Sequence, residues 1–100
     1  TVADSIAVDR PRDPIKALRS VRDTGGAMVQ VNDDAILSAL GRLGRDAAVF
    51  AEPAAAATLA GLETAVQQGI IGSDESVVLL ITGNGLKDVA AARKAVGQPY

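Results

Sequence analysis

The 100-residue chain has no cysteine and no histidine, and these two absences remove several kinds of active site. Without cysteine there is no disulfide and no thiolate metal site. Without histidine the chain lacks the commonest metal ligand and the commonest general base. A serine–histidine hydrolase or a zinc hydrolase is therefore excluded, and no metal site is predicted.

Aromatic residues, excess basic charge and long apolar runs are also scarce. Phe50 and Tyr100 are the only aromatic side chains, so the core must be built from Ala, Val, Leu and Ile. The net charge is −2, with 10 basic residues among 12 acidic ones, which gives no basic face for nucleic acid or a membrane surface. No run approaches the roughly 20 apolar residues that cross a bilayer. We therefore expect a cytoplasmic protein with no nucleic-acid or membrane partner.

Four segments carry the caps and periodicity of helices. Asp13 caps a first helix, which Gly25 ends, and Asn32 caps a second. Residues 53–68 and 88–96 form a third and a fourth helix. Nearly all positions of the first half of the third helix are apolar, so it is expected to be buried at that end.

Two segments are predicted as strands. Residues 77–81 are five consecutive branched apolar residues, which is typical of a strand covered on both faces. Residues 27–31 are a second, shorter candidate. Because helices and strands alternate, we predict an α/β fold in which helices pack on a small, mainly parallel sheet. Residues 1–100 are expected to form a single unit.

Thr82, Gly83 and Asn84 are the leading site candidates because they follow the predicted strand directly. Open α/β sheets hold ligands at the carboxyl ends of their strands. The spacing of the glycines around Asn84 matches neither the dinucleotide fingerprint nor the P-loop. A threonine before a glycine is also a common turn former, so the residues alone leave both interpretations open.

Acidic residues near helix starts also allow two interpretations. Glu52 stands directly before the third helix, where it would cap the helix or face a cleft, and the residues alone favour capping. Asp33 and Asp34 open the second helix, and neighbouring side chains on a helix point roughly 100° apart around its axis. They are therefore interpreted as partners of the helix dipole and not as a metal or acid–base pair. Asp4 and Ser5 are typical of an ordinary turn.

Several segments resemble the threonine synthase family of pyridoxal-phosphate enzymes, which share the tryptophan-synthase β-chain fold. The similarity runs over nearly the whole chain, yet it covers only the last part of such an enzyme. It implies the C-terminal fragment of the large domain of a fold type II lyase. The resembling segments, in chain order, are residues 1–8, 25–26, 31–36, 50–57 and 77–88.

The resemblance implies that the hydroxyl of Thr82 meets the pyridine nitrogen of pyridoxal phosphate. A neutral hydroxyl holds an unprotonated ring nitrogen and so weakens the electron sink, which suits elimination and replacement chemistry. Gly83 and Asn84 would also contact the cofactor, with the glycine backbone close to its ring. The resemblance further implies a set of cleft-lining residues: Ala3, Asp4, Ser5 and Glu52.

The implied reaction converts O-phosphohomoserine and water into threonine and phosphate. No segment matches the family's lysine motif, which anchors the cofactor as a Schiff base, or its phosphate-binding glycine loop. Lys16 and Lys94 are predicted on helix surfaces and Lys87 in the loop after the strand. No catalytic residue is therefore expected in this chain, and its implied partners are the remainder of the enzyme, the small substrate and further copies in a homo-oligomer.

Two alternatives stay open. A threonine dehydratase-like enzyme of the same fold group is a close rival, although residues 81–88 are more similar to the synthase. A non-catalytic module that binds a small ligand, or regulates, is an alternative of a different class. A lysine motif encoded upstream would favour the enzyme.

Overall fold

The computed structural model describes residues 1–97, which contain four α-helices joined by turns and irregular segments. Two short 3₁₀ helices, Asp4–Ile6 and Gly85–Lys87, precede α1 and α4. Gln98 and Pro99, which were expected to help end the last helix, lie outside the described residues. The helices are α1 (Pro14–Asp23), α2 (Asp33–Ala47), α3 (Pro53–Gln67) and α4 (Val89–Val96).

The predicted helix ends are confirmed. Asp13, Asn32 and Asp88 cap α1, α2 and α4, and the side chain of each accepts a hydrogen bond from the backbone amide three positions later, at 3.0, 2.8 and 2.9 Å. Gly25 and Gly69 follow α1 and α3 with φ values of +66° and +70°. A residue in this left-handed region ends a helix, and glycine adopts it without steric cost.

The core lies where α2 packs against α3, and α2 also packs against α4. Ile36, Leu40 and Leu43 form the buried stripe of α2, and Leu37 beside them is partly buried. The alanines of α3 allow close packing because they add little side-chain thickness. The buried apolar residues of the core cluster are Ala3, Ile36, Ala39, Leu40, Leu43, Ala51, Ala55, Ala56 and Ala60.

The predicted sheet is not formed within residues 1–97. Residues 27–31 and 77–82 belong to no strand, and the pairing present is an isolated antiparallel bridge between Ala51 and Asn84. The burial along residues 78–81 nevertheless alternates as in a strand: Val78 and Leu80 are exposed, and the residues between and after them are partly buried. A strand also needs a neighbour whose backbone groups pair with its own, and the described residues supply none for either segment.

Several apolar faces pack against nothing in the part of the chain that the structure describes. The apolar face of α1 is exposed, with Ile15 at 71% and Leu18 at 47%. Val29 and Leu79, from the two candidate strands, line one hollow of about 570 Å³ over α3. Among the described residues, no helix is both long and apolar enough to be a membrane span.

Candidate functional site

Thr82 is exposed and lies on the wall of an open hollow of about 370 Å³. The hollow lies between the end of the candidate strand and the segment before α3, because Val49 and Phe50 also line it. The predicted site residues Thr82, Gly83 and Asn84 are thus brought together on one cavity. The lining residues are Val49, Phe50, Ile81, Thr82, Gly83 and Asn84.

Two backbone hydrogen bonds hold the walls of this hollow together. The amide of Glu52 donates to the carbonyl of Gly83 at 3.0 Å, and the amide of Gly85 donates to the carbonyl of Phe50 at 2.9 Å. The side chain of Asn84 turns inward along the loop and accepts from the Leu86 amide at 2.9 Å. The loop of residues 82–87, called the rim loop below, is therefore attached to the start of α3.

The carboxylate of Glu52 joins three segments of the chain. Its Oε1 accepts from the Nζ of Lys87 at 2.9 Å, and its Oε2 accepts from the Oγ of Ser5 at 3.0 Å. The side chain is 6% exposed and lies beside a small cavity of about 120 Å³, which Asp4 and Asp88 also line. Asp4 and Ser5 thus line the same small cavity as Glu52, and a role of these residues beside the cofactor stays a prediction.

The capping role that the sequence favoured for Glu52 is wrong. Glu52 occupies the residue before α3, but its side chain makes no capping hydrogen bond. The physical reason is that an ammonium group is a stronger partner for a carboxylate than a neutral backbone amide. The carboxylate therefore binds Lys87 of the rim loop and not the backbone amides at the start of α3.

These partners keep Glu52 ionised. The hydrogen bond from Lys87 is the largest cause that lowers the pKa of Glu52 below its ordinary value. Burial opposes it, the Ser5 hydroxyl supports it, and the negative charge of Asp88 acts weakly against it. A carboxyl group with a lowered pKa carries no proton to donate near neutral pH, so Glu52 is not suited to be a general acid.

Gly83 and Gly85 leave no room for side chains. A Cβ atom on Gly83 would overlap the carboxylate of Glu52 and lie 2.6 Å from its Cγ, and one on Gly85 would lie 2.7 Å from Cζ of Phe50. We linked these glycines to a cofactor ring from the sequence. Side chains of this chain already require both of them, whatever else approaches the loop.

The remaining predicted residues lie in two places. Ala3 is 2% exposed and belongs to the core, so it packs behind the small cavity and is not among its lining residues. Asp33 accepts from the Val2 amide at 3.1 Å and from the Thr1 hydroxyl, and the second of these bonds is the main cause of its lowered pKa. Asp33 therefore attaches the first segment to α2 in addition to standing in the first helical turn.

Lys87 is the residue that the sequence analysis missed. It was assigned to the loop without a partner, because no periodicity relates it to Glu52, 35 positions away. The nearest available signal was Asn84, whose tendency to cap a turn directs Lys87 back toward α3. Within residues 1–97, no group of three or more His, Cys, Asp or Glu residues is arranged to hold a metal.

Comparison with known proteins identifies the class of this site. Residues 1–83 match the pyridoxal-phosphate dependent enzyme family, so the chain belongs to that family.

Proteins similar to this chain include several threonine synthases. The enzyme of Methanocaldococcus jannaschii is 39% identical over 99 residues, which are 99% of this chain and 24% of that protein. The enzyme of Methanosarcina acetivorans is 44% identical over 88 residues, which are 88% of this chain and 22% of that protein. The enzyme of Mycobacterium tuberculosis strain H37Rv is 36% identical over 94 residues, which are 94% of this chain and 26% of that protein. The chain therefore spans about a quarter of the length of these relatives.

The hollow beside Thr82 fits one end of the family's cofactor. The exposed residue Thr82 lines this hollow together with Gly83 and with Phe50, which is 45% exposed. A flat, largely apolar pyridine ring with one nitrogen matches such a wall. The hollow contains no lysine or arginine among its lining residues, so it does not match the phosphate end.

Proposed function

We propose that this chain is part of a threonine synthase, which converts O-phosphohomoserine and water into threonine and phosphate with pyridoxal phosphate. The observation that carries the proposal is the position of the exposed Thr82 on an open hollow, in a chain of which 99% aligns with a threonine synthase at 39% identity. The relatives extend well beyond the aligned part, so the remainder of the enzyme is the expected partner.

In this proposal Thr82 donates its hydroxyl hydrogen to the ring nitrogen of the cofactor. Bound pyridoxal phosphate supplies an electron sink for carbanion chemistry at the substrate, and the protein adjusts its strength. Because a hydroxyl is neutral, Thr82 orients the ring without favouring protonation of its nitrogen. Phe50 and the backbone of Gly83 form the walls beside the ring, and Asn84 keeps the rim loop in shape through its bond to Leu86.

We also propose that residues 27–31 and 77–82 become strands of the mainly parallel sheet of a fold type II enzyme. Alternating burial along residues 78–81 supports this, as does the hollow that Val29 and Leu79 share over α3. Small residues of α3 line the same hollow, and a Cβ on Gly61 would lie 3.5 Å from Cγ2 of Val29. Strands of the remaining polypeptide would supply the missing backbone partners.

The lysine that anchors the cofactor is assigned to the remaining polypeptide. The hollow beside Thr82 has no lysine among its lining residues. The small cavity beside Glu52 has Lys87, but that lysine is paired with Glu52. This chain is therefore expected to be inactive when isolated. A homo-oligomeric assembly and a cytoplasmic location stay predictions.

The test uses the complete polypeptide that contains this chain, purified with pyridoxal phosphate. Release of inorganic phosphate from O-phosphohomoserine, with threonine as the second product, is the expected result. Release of ammonia from threonine without phosphate chemistry would favour the dehydratase-like alternative instead. If neither substrate reacts and no cofactor is retained, the proposal of an enzyme fails.

A further inference from the structure

Glu52 is a charged residue that the core encloses, and it makes no part of the proposed contact between Thr82 and the cofactor. The whole residue is 4% exposed, and Glu52 is the only charged or polar residue that is buried among the described residues. A buried carboxylate costs free energy unless partners compensate it. The partners of its carboxylate, Ser5 and Lys87, lie in the two short 3₁₀ helices and not in the helix that follows it, so the acid connects segments that are distant in the sequence.

We propose that Glu52 is a positioning residue for Thr82: its carboxylate occupies the space of a side chain on residue 83 and holds the rim loop through Lys87. The inference rests on the proposed function, because it concerns the placement of the same hydroxyl. Glu52 is not among the residues that line the hollow beside Thr82; it acts through Gly83 and Lys87.

The rim loop is attached to Glu52 at both of its ends. At the start, the Glu52 amide donates to the Gly83 carbonyl at 3.0 Å. At the far end, Lys87 reaches the carboxylate at 2.9 Å. Thr82 directly precedes Gly83, so the first attachment determines where its Cα lies, and the second stops the loop from swinging away from α3.

The carboxylate also forms one face of the loop. Because its atoms lie where a Cβ on Gly83 would be, the loop packs onto the acid with no side chain between them. The two positions are therefore coupled sterically: a methyl group on residue 83 must displace either the acid or the loop. Removal of the acid side chain creates the space that the methyl group needs.

The two carboxylate oxygens serve different segments. Oε1 accepts from Lys87 of the rim loop, and Oε2 accepts from Ser5 of the first 3₁₀ helix. A glutamine in this position keeps the shape and one acceptor oxygen but loses the charge that holds Lys87. Glu52→Gln should therefore retain the packing against Gly83 and weaken the ionic attachment of the loop.

The experiment is a double-mutant cycle in the complete protein, with Gly83→Ala, Glu52→Ala and the combination. The first readout is hydrogen exchange of the backbone amides of residues 82–87 without cofactor. We expect Gly83→Ala to raise the exchange rate in this loop by roughly tenfold or more. The loop of the double variant should exchange more slowly than that of Gly83→Ala alone, because the effects of substitutions at two residues in contact are not additive. Gly44→Ala is the matched control, because a Cβ there meets no atom within 4 Å.

The location of the effect separates positioning from a general loss of stability. The proposal requires faster exchange in the rim loop and at Asp4–Ile6, with α2 unchanged. Faster exchange that spreads equally through α2 would overturn it. So would effects of Gly83→Ala and Glu52→Ala that simply multiply in the combined variant, or a Gly83→Ala protein that exchanges like the wild type.

The second readout is the absorption spectrum and release rate of bound pyridoxal phosphate. Glu52→Ala and Thr82→Ala should change both in the same direction, and Glu52→Gln should recover part of the loss. If Glu52→Gln recovered neither the spectrum nor the release rate, Glu52 would be only a residue needed for folding, and the proposal would be contradicted. The hydrogen-exchange readout needs no cofactor, so a failure of the proposed cofactor role of Thr82 can be recognised separately. In that case Thr82→Ala would leave the spectrum and the release rate unchanged, while the effects of Gly83→Ala and Glu52→Ala on hydrogen exchange would still be non-additive.

Discussion

The Nζ atom of Lys87 lies 2.9 Å from Oε1 of Glu52, although 35 positions separate the two residues along the chain. The lysine side chain is 58% exposed and the glutamate side chain 6% exposed, so one partner remains in solvent and the other is enclosed. The ion pair connects the start of α3 to the loop that carries Thr82. Four predictions follow from this pair and from the surfaces around it.

The pair makes stability depend on pH in a defined direction. The pKa of Glu52 is lowered in the folded protein, so its contribution is complete above the ordinary glutamate pKa of about 4.3. It is lost as the pH falls through the lower folded-state value, because the protonated acid no longer attracts Lys87. Glu52→Gln should therefore be less stable than the wild type at neutral pH, and the difference should shrink on acidification. Denaturant unfolding between pH 3 and pH 7 measures it.

Asp33 provides the control for this pH dependence. Its pKa is also lowered, mainly by the hydrogen bond from Thr1, and it lies at the start of α2 and not at the rim loop. Asp33→Asn should remove part of the acid sensitivity without changing exchange of the rim loop. A Glu52→Gln protein whose stability deficit stays constant over the whole pH range would show that the charge of Glu52 is unimportant.

Thr82 variants test the contact with the ring nitrogen. Thr82→Ala removes one neutral hydrogen bond, and a bond of this kind contributes on the order of 0.5–1.5 kcal/mol, or roughly 2- to 10-fold in cofactor release. Thr82→Ser keeps the hydroxyl and should behave nearly like the wild type. Cofactor occupancy after dialysis of the complete enzyme, followed by absorbance, measures both variants. Equal occupancy in the alanine variant and the wild type would refute the contact.

Ala48 is a further position where a substitution should change stability. It follows α2 with a φ of +54°, a conformation that costs a residue with a Cβ about 1 kcal/mol or more. Ala48→Gly should therefore raise the free energy of unfolding by roughly 0.5–1 kcal/mol. Gly69→Ala is the reciprocal control, because Gly69 has a φ of +70° and open space around it, and it should lower the same quantity. Thermal or urea unfolding of the complete protein measures whether each substitution raises or lowers the free energy of unfolding.

The isolated chain should associate in solution. Val78 and Leu80 are 84% and 70% exposed, and the proposal places both on strands that other polypeptide covers. Sedimentation of residues 1–100 should show dimers or larger species, and a Val78→Lys/Leu80→Lys variant should shift the population toward monomer. A compact monomer at high concentration without these substitutions would contradict the prediction.

The helices were predictable because their signals are local. Asp13, Asn32 and Asp88 each bond to an amide three positions away, so the sequence around each cap contains the whole interaction. The two predicted strands are different. Residues 77–81 have the composition of a strand and residues 78–81 its alternating burial, but hydrogen-bonded pairing depends on a neighbour that need not be close in sequence.

The site shows the same division. Thr82, Gly83 and Asn84 were singled out from one short stretch, and the structure brings them onto one hollow. The role of Glu52 was misread, because its partners Ser5 and Lys87 lie 47 positions before it and 35 after it. Side-chain contacts over such separations follow from how α3 and the rim loop pack, and no pattern in the sequence specifies them.

The order of amino acids was therefore sufficient for the four helices and for the caps of α1, α2 and α4, since caps, periodicity and glycine conformation act within a few residues. Tertiary structure alone decided that the Glu52 carboxylate leaves the end of α3 for Lys87, and that Gly83 must lack a side chain. The physical reason is that a buried charge takes the strongest partner that the folded chain brings within reach, and distance in space, unlike distance in sequence, exists only after folding.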